Sequence, residues 1–252
     1  MAHGTHHALH IVEQVPADPD APLVVLVHGS LDRAASFARV MRRLRDLDVV
    51  AYDRRGYHHS RQAAPAAAGL DDHVADLVAI VGGRRAALVG HSLGGDVVLA
   101  AAVAAPGSVT AVGVYEPPLP WLEWWPRRPR GDAPDPAAFA ESFFRRMVGD
   151  DAWERLPERT RQERRAEGAT LLAELSSLRM ETAPFDVTAL ACPLLVGRGE
   201  ASLWHHRRAA DALVEARPGT RIVEIEGAAH GAHRTHADAF ADFVRQVVSA
   251  GR

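Results

Sequence analysis

The chain has 252 residues, a formal net charge of −3, and 47% hydrophobic and 24% charged residues, a composition that excludes disordered and fibrous classes and allows one large core or a core with an insertion. All 29 basic residues are arginine, but pairs such as Arg42-Arg43, Arg127-Arg128 and Arg164-Arg165 sit in a slightly acidic chain and read as solvated faces, so no nucleic-acid footprint is expected. The lone Cys192 cannot close an internal disulfide and reads as a buried small hydrophobe; with no apolar leader and no 18-residue apolar run, a cytoplasmic protein without a membrane segment is expected.

The N-terminal histidines read as a solvated tail, and His7 to Val15 alternates loosely enough for one strand. Pro22-Leu-Val-Val-Leu-Val27 is a continuous apolar run rich in β-branched valine, the pattern of a strand buried on both faces. His28-Gly29-Ser30 follows, and then a helix is expected over 33–45, with Phe37, Val40, Met41 and Leu44 at helical spacing. Asp48 to Asp53 gives another strand, and after a loop with Pro65 a helix is expected over 70–81, with Asp71 or Asp72 capping it.

Ala86-Ala-Leu-Val-Gly90-His91-Ser92-Leu93-Gly94-Gly95 then places a serine on a sharp strand-to-helix turn, the context of a G-x-S-x-G nucleophile elbow. A side chain at Gly90 or Gly94 would clash where the strand reverses into the helix. The turn exposes Ser92 Oγ at the strand end and offers the Leu93 backbone N–H to a developing oxyanion. Val109 to Tyr115 is the next strand, closed by Glu116-Pro117-Pro118. Strands alternating with helices predict a mostly parallel, doubly wound α/β sheet.

That rhythm breaks over 117–185. Trp121, Trp124, Trp125 and Trp153 fall in this segment; Phe139, Phe143 and Met147 share one helical face beyond a loop over 129–136, and Leu171 to Met180 is a second helical candidate. The tryptophans are expected to pack the insertion onto the core, with at least one of Trp121, Trp124 and Trp125 lining an apolar substrate pocket. From Pro193 the α/β rhythm resumes: a strand at Leu194 to Val196 leads to Gly197-Arg-Gly-Glu200, a helix over 203–216, a strand at Arg221 to Ile225, then Gly227-Ala-Ala-His230 and a closing helix to Val248.

In chain order the sequence thus offers Ser92, a carboxylate at a strand end, and His230 on the loop after the last strand, the Ser…Asp/Glu…His order of a serine triad on an α/β sheet. The chain resembles the α/β-hydrolase superfamily over nearly its whole length outside 117–185, through Leu26-Val-His-Gly-Ser30, Tyr52-Asp-Arg-Arg-Gly-Tyr57…Ser60, the elbow, Cys192-Pro…Gly197…Glu200 and Gly227-Ala-Ala-His230. The resemblance implies an α/β-hydrolase core over 1–116 and 186–252 and a helical cap over 117–185. It makes Ser92 the nucleophile, His230 the general base and then acid, the backbone N–H groups of Ser30 and Leu93 the oxyanion hole, and His28 a brace for its loop. Glu200 is the expected triad acid and Glu116 its rival, because some members place the acid one strand earlier. A further departure is His58-His59, where a glycine usually interrupts this loop, and an altered loop path is expected there.

The activity implied is hydrolysis of a small to medium carboxylic ester through an acyl-Ser92 intermediate, with a small-molecule substrate and no cofactor. C–C bond hydrolases, thioesterases, lactonases and acyltransferases share the triad; a non-catalytic binding protein on the same fold is the reading from another class. Relatives that open epoxides or remove halides carry an aspartate nucleophile, and position 92 is Ser. The H-x2-H-x2-H spacing of His230, His233 and His236 is not expected to hold a metal, since the triad already uses His230.

Overall fold

A computed structural model describes residues 9–62, 69–126, 135–178 and 182–252. The N-terminal histidines His3, His6 and His7, the loop at Pro65, the Arg127-Arg128 pair, most of the expected loop over 129–136, and Met180 lie outside the described residues. Seven strands form one sheet in the order β1-β3-β2-β4-β5-β6-β7: β1 (Ile11–Gln14), β2 (Leu23–Val27), β3 (Asp48–Tyr52), β4 (Ala86–His91), β5 (Val109–Tyr115), β6 (Leu194–Gly199) and β7 (Arg221–Ile225). All pairings are parallel except that of β1 with β3.

The five residues of β2 are all buried because helices cover both faces of the sheet. Val25 and Val27 point into one layer with α2 (Leu70–Val81), α3 (Leu93–Ala104) and α8 (Trp204–Ala216). Val24 and Leu26 point into the other, with α1 (Ala38–Met41) and α10 (Ala237–Ala250). The period-two alternation of a strand delivers its side chains to both layers. The fold is therefore α/β, as the strand and helix rhythm predicts.

Parallel pairing aligns the carboxyl ends of the central strands. Val27 stands opposite Gly90, His91 opposite Tyr115, Tyr115 opposite Gly197 and Gly199 opposite Ile225, so the loops carrying Ser30, Ser92, Glu116, Glu200 and His230 line one edge. Sites in open α/β sheets assemble at such an edge.

The segment between β5 and β6 contributes α4 (Pro136–Val148), α5 (Asp150–Glu154), α6 (Glu158–Ala166) and α7 (Gly168–Ser177). Phe139, Phe144, Trp153 and Leu171 form a small core of their own that closes over Leu31 and Tyr57 of the sheet edge.

Local structure departs from the expected elements at two helices. The expected helix over 33–45 is a 3-10 turn at Ala34–Phe37 followed by the short α1. Its start is tied to neighbouring loops, with Ala34 N–H donating to Asp53 Oδ1 at 2.8 Å and Ser36 Oγ to Asp32. The helix over 70–81 is formed with Gly69 as the N-cap residue, while Asp72 reaches back to accept from the Gly69 N–H, so the aspartates serve the first turn from inside it.

Candidate active site

Ser92 occupies φ +52°, ψ −131°, a conformation costly for a residue with a side chain. The surroundings enforce it: the Ser92 N–H donates to Tyr115 O at 2.9 Å, and its carbonyl accepts from Gly95 N at 2.7 Å. A Cβ at Gly90 would lie 2.1 Å from Gly94 O, and one at Gly94 would lie 2.2 Å from Val27 O, so this turn is closed to any other residue at both positions. Leu93 is the first residue of α3, where the backbone N–H has no helical carbonyl behind it.

Among the described residues, only Leu31, His58, Ser92 and Glu116 combine a side chain with positive φ. Three of the four, Leu31, Ser92 and Glu116, belong to the sheet edge where the loops meet. Backbone strain concentrates where function over-determines geometry.

Glu116, at φ +51°, is fully buried at the end of β5. Its Oε2 lies 2.8 Å from His230 Nδ1, and its Oε1 accepts from Gly199 N–H at 2.8 Å and from Ser202 Oγ. With Nδ1–H directed at a carboxylate, Nε2 is the basic nitrogen of neutral His230. The His230 backbone is held in turn, its carbonyl accepting from His91 Nε2 at 2.7 Å. The His206 ring stacks on His230 at 4.3 Å and 18°.

Glu200, the expected partner of His230, is not brought to it. β6 ends at Gly199, and the Glu200 side chain is exposed, its Oε2 accepting from Gly227 N–H at 2.9 Å. The buried position beside His230 is filled from the neighbouring strand by Glu116, whose left-handed backbone supplies the reach.

A cavity of about 70 Å3 joins Ser92 and His230, closed on its apolar side by Leu31 and by Phe143, Phe144, Met147 and Val148 of α4. Trp121, Trp124 and Trp125 do not line it, contrary to expectation. Tight turns from Leu119 to Leu122 and from Leu122 to Trp125 fold them against the core layer of α3 and α8. There Trp121 meets Phe185 edge-on at 5.5 Å and Trp125 meets His206 at 5.9 Å, so the array backs the far side of the His230 stack. The face that does reach the cavity, through Phe143 and Met147, is the stripe legible in the sequence.

A second buried carboxylate, Glu174 of α7, lies under the loop that carries Ser30. Glu174 Oε2 accepts from Tyr57 Oη at 2.6 Å and Ser30 Oγ at 3.0 Å; Oε1 accepts from Arg54 Nη1 at 2.5 Å and lies 2.8 Å from His73 Nε2. Burial opposes its ionisation, but the Arg54 charge and the His73 contact outweigh that and hold the carboxyl well below the usual range. Arg54 also reaches the β2 loop, donating from Nε to His28 O, while its backbone N–H donates to His28 Nε2. Burial, then the Arg54 charge, lowers the His28 pKa to about 3, so His28 is a neutral brace. Glu174 was not legible in advance, since a lone glutamate on a helix carries no signal of its partners.

His58 takes φ +43° itself, the conformation a glycine would favour. Glu167 Oε1 accepts from its N–H at 2.9 Å and Asp53 Oδ2 lies 3.1 Å from its Nδ1. The loop is thus held without glycine.

A family model described as "Alpha/beta hydrolase family" matches residues 24–243. The chain belongs to the alpha/beta hydrolase family. This hydrolase is 35% identical over 141 residues to Epoxide hydrolase A of Mycobacterium tuberculosis (strain ATCC 25618 / H37Rv), a match that covers 54% of the chain and 41% of that relative. The chain thus spans less than half the length of the curated relative it matches. Among solved structures it resembles the enol-lactonase from Burkholderia xenovorans LB400 (21% identity, TM-score 0.73, 96% of each chain). It also resembles a thermophilic esterase from Thermogutta terrifontis (19%, 0.70, 96% of this chain and 93% of the other) and a hydrolase from Pseudomonas aeruginosa PA01 (20%, 0.74, 95% and 94%). At these identities the likeness is one of fold. Among the described residues no helix is long and apolar enough to cross a membrane.

Proposed function

We propose that this hydrolase cleaves small carboxylic esters through an acyl-Ser92 intermediate, with His230 as base and then acid and Glu116 as the triad carboxylate. The observation that carries this reading is the Glu116–His230 contact at 2.8 Å, which turns the imidazole Nε2 free in a cavity that Ser92 also lines. In the acylation step Ser92 Oγ attacks the carbonyl carbon and its proton passes to His230 Nε2. The backbone N–H groups of Leu93 and Ser30 receive the oxyanion, and collapse expels the alcohol with the proton from His230. Water then attacks the acyl-enzyme, giving its proton to His230, and the acid leaves as Ser92 regains its hydrogen. Glu116 stabilises the imidazolium formed in each half-reaction and holds its tautomer.

The substrate size follows from the cavity. One water fills roughly 10–15 Å3 on this measure, so about 70 Å3 takes an acyl group of a few heavy atoms against the apolar wall of α4. We read residues 117–185 as a cap that supplies that wall. A serine at position 92 sets the chain apart from an aspartate-nucleophile reaction such as epoxide opening. The test is hydrolysis of p-nitrophenyl esters from acetate to long chains: Ser92-dependent turnover best at short acyl length is expected. No turnover of any chain length, with no labelling of Ser92 by an organophosphonate, would overturn it.

A further inference from the structure

A second trio of buried side chains converges on the same cavity and has no part in the acyl chemistry. Asp32 follows the oxyanion loop, His91 precedes Ser92, and His233 lies three residues after His230. Ligand-capable atoms of the three lie within 4.8 Å of one another, all three residues line the cavity, and their exposures are 8%, 6% and 2%.

Two of the three side chains are already oriented from behind. His91 Nε2 faces the His230 carbonyl, which can only accept, so that nitrogen carries the hydrogen. With that hydrogen on Nε2, Nδ1 presents a buried lone pair that has no hydrogen-bond partner. A backbone carbonyl holding the far N–H is how metal-ligating imidazoles are oriented. Asp32 is held likewise, Oδ1 accepting from Ser36 Oγ while Oδ2 lies 3.0 Å from His233 Nε2. The 3.0 Å separation is close to the ~3.3 Å between two ligands on a tetrahedral ion with bonds of about 2.0 Å.

We propose that Asp32 Oδ2, His91 Nδ1 and His233 Nε2 form a binding site for a divalent transition-metal cation of the zinc class, its fourth position open to the cavity. Binding replaces the proton on His233 Nε2, which leaves to solvent. Two imidazoles and one carboxylate favour Zn2+, Co2+, Ni2+ or Cu2+ over Mg2+ or Ca2+. The site is not the H-x2-H-x2-H run: His230 is engaged by Glu116, and the half-buried His236 turns its Nδ1 to Thr235 Oγ1. A bound cation takes the space the acyl group needs and inhibits hydrolysis, a consequence that rests on the proposed ester reaction; the binding itself does not.

A rival trio, Glu116, His206 and His230, also falls within 4.8 Å. His206 lacks an orienting partner, both its ring nitrogens being unpaired, so this set is the less prepared. Titration of the intact protein with Co2+, followed by the visible bands of the tetrahedral ion and by Zn2+ competition, separates the two. One equivalent is expected in the wild type and in His206→Phe, with affinity at least tenfold weaker in Asp32→Asn and His233→Gln. Absence of bands in the wild type, or their loss in His206→Phe with retention in Asp32→Asn, overturns the site. His206→Phe keeps the test decisive if the Asp32 and His233 variants do not fold. Stoichiometric binding by a protein that hydrolyses no ester would leave the metal site standing and remove the ester reading.

Discussion

Glu116 and Glu174 are both sealed from solvent, yet their partners differ in kind. Glu174 faces the permanent cation of Arg54, the hydroxyls of Tyr57 and Ser30, and the His73 ring. Glu116 is met by a backbone N–H, a serine hydroxyl and one titratable ring. A carboxylate neutralised by arginine has no charge left to lend to a reaction; it fastens α7 to the loop that carries Ser30. No arginine pairs with Glu116 among its described partners, and its Oε2 faces the His230 ring. One buried acid locks a surface and the other, in the proposed mechanism, serves a proton transfer, and the arginine beside the first makes the difference.

The largest effect expected is on chemistry. Ser92→Ala should lower kcat/KM on p-nitrophenyl acetate by at least ~10^3-fold and leave thermal unfolding unchanged; retained turnover would remove Ser92 from the mechanism. On the locking side, Glu174→Ala leaves Arg54 buried without its partner, and such a loss costs about 3–5 kcal/mol, to be read from urea unfolding. A loss below about 1 kcal/mol, the range of an exposed pair, would show that α7 is not fastened there.

Acid should weaken the fold by a related route. Burial, its largest cause, lowers the pKa of His28, His73, His91 and His206 from the ordinary 6.5, that of His28 to about 3. The unfolded chain therefore binds more protons than the folded one once the pH drops below about 6.5. Stability is present above that value and is lost as the pH falls toward the folded values, by about 1.4 kcal/mol per pH unit for each histidine. The depressed carboxyls of Asp32 and Glu174 add to the loss lower still. A urea midpoint that does not move between pH 7.5 and 5.5 would contradict the neutral burial of these rings.

The smallest effect concerns the apolar wall. Met147→Ala should move the optimum toward longer acyl chains, a change in relative kcat/KM of about 1–3 kcal/mol. An unchanged optimum would place the acyl group elsewhere in the cavity.

Much of the architecture was legible because it rests on local patterns. The apolar run of β2, the glycines of the elbow and the last strand before His230 each declare themselves within a few residues. The carboxylate that meets His230 did not, because Glu116 and Glu200 both end strands at the same sheet edge, and only Glu116, with its positive φ, is turned inward. The tryptophans misled for a similar reason. Their size promised a pocket wall, but two tight turns direct them to the core, and the wall falls to the less conspicuous Phe143 and Met147. Glu174 and Asp32 were invisible, since each acquires meaning from partners far away in the chain, and His233 stood out only in a histidine spacing whose other members are not its partners.

The central claim is that Glu116, and not Glu200, serves His230, and one comparison tests it most directly. Glu116→Gln and Glu200→Gln are assayed side by side on a short p-nitrophenyl ester. The expected result is a fall in kcat of about 10^3–10^4-fold for Glu116→Gln, as for a triad carboxylate made an amide, and less than threefold for Glu200→Gln. The reverse pattern would contradict the account.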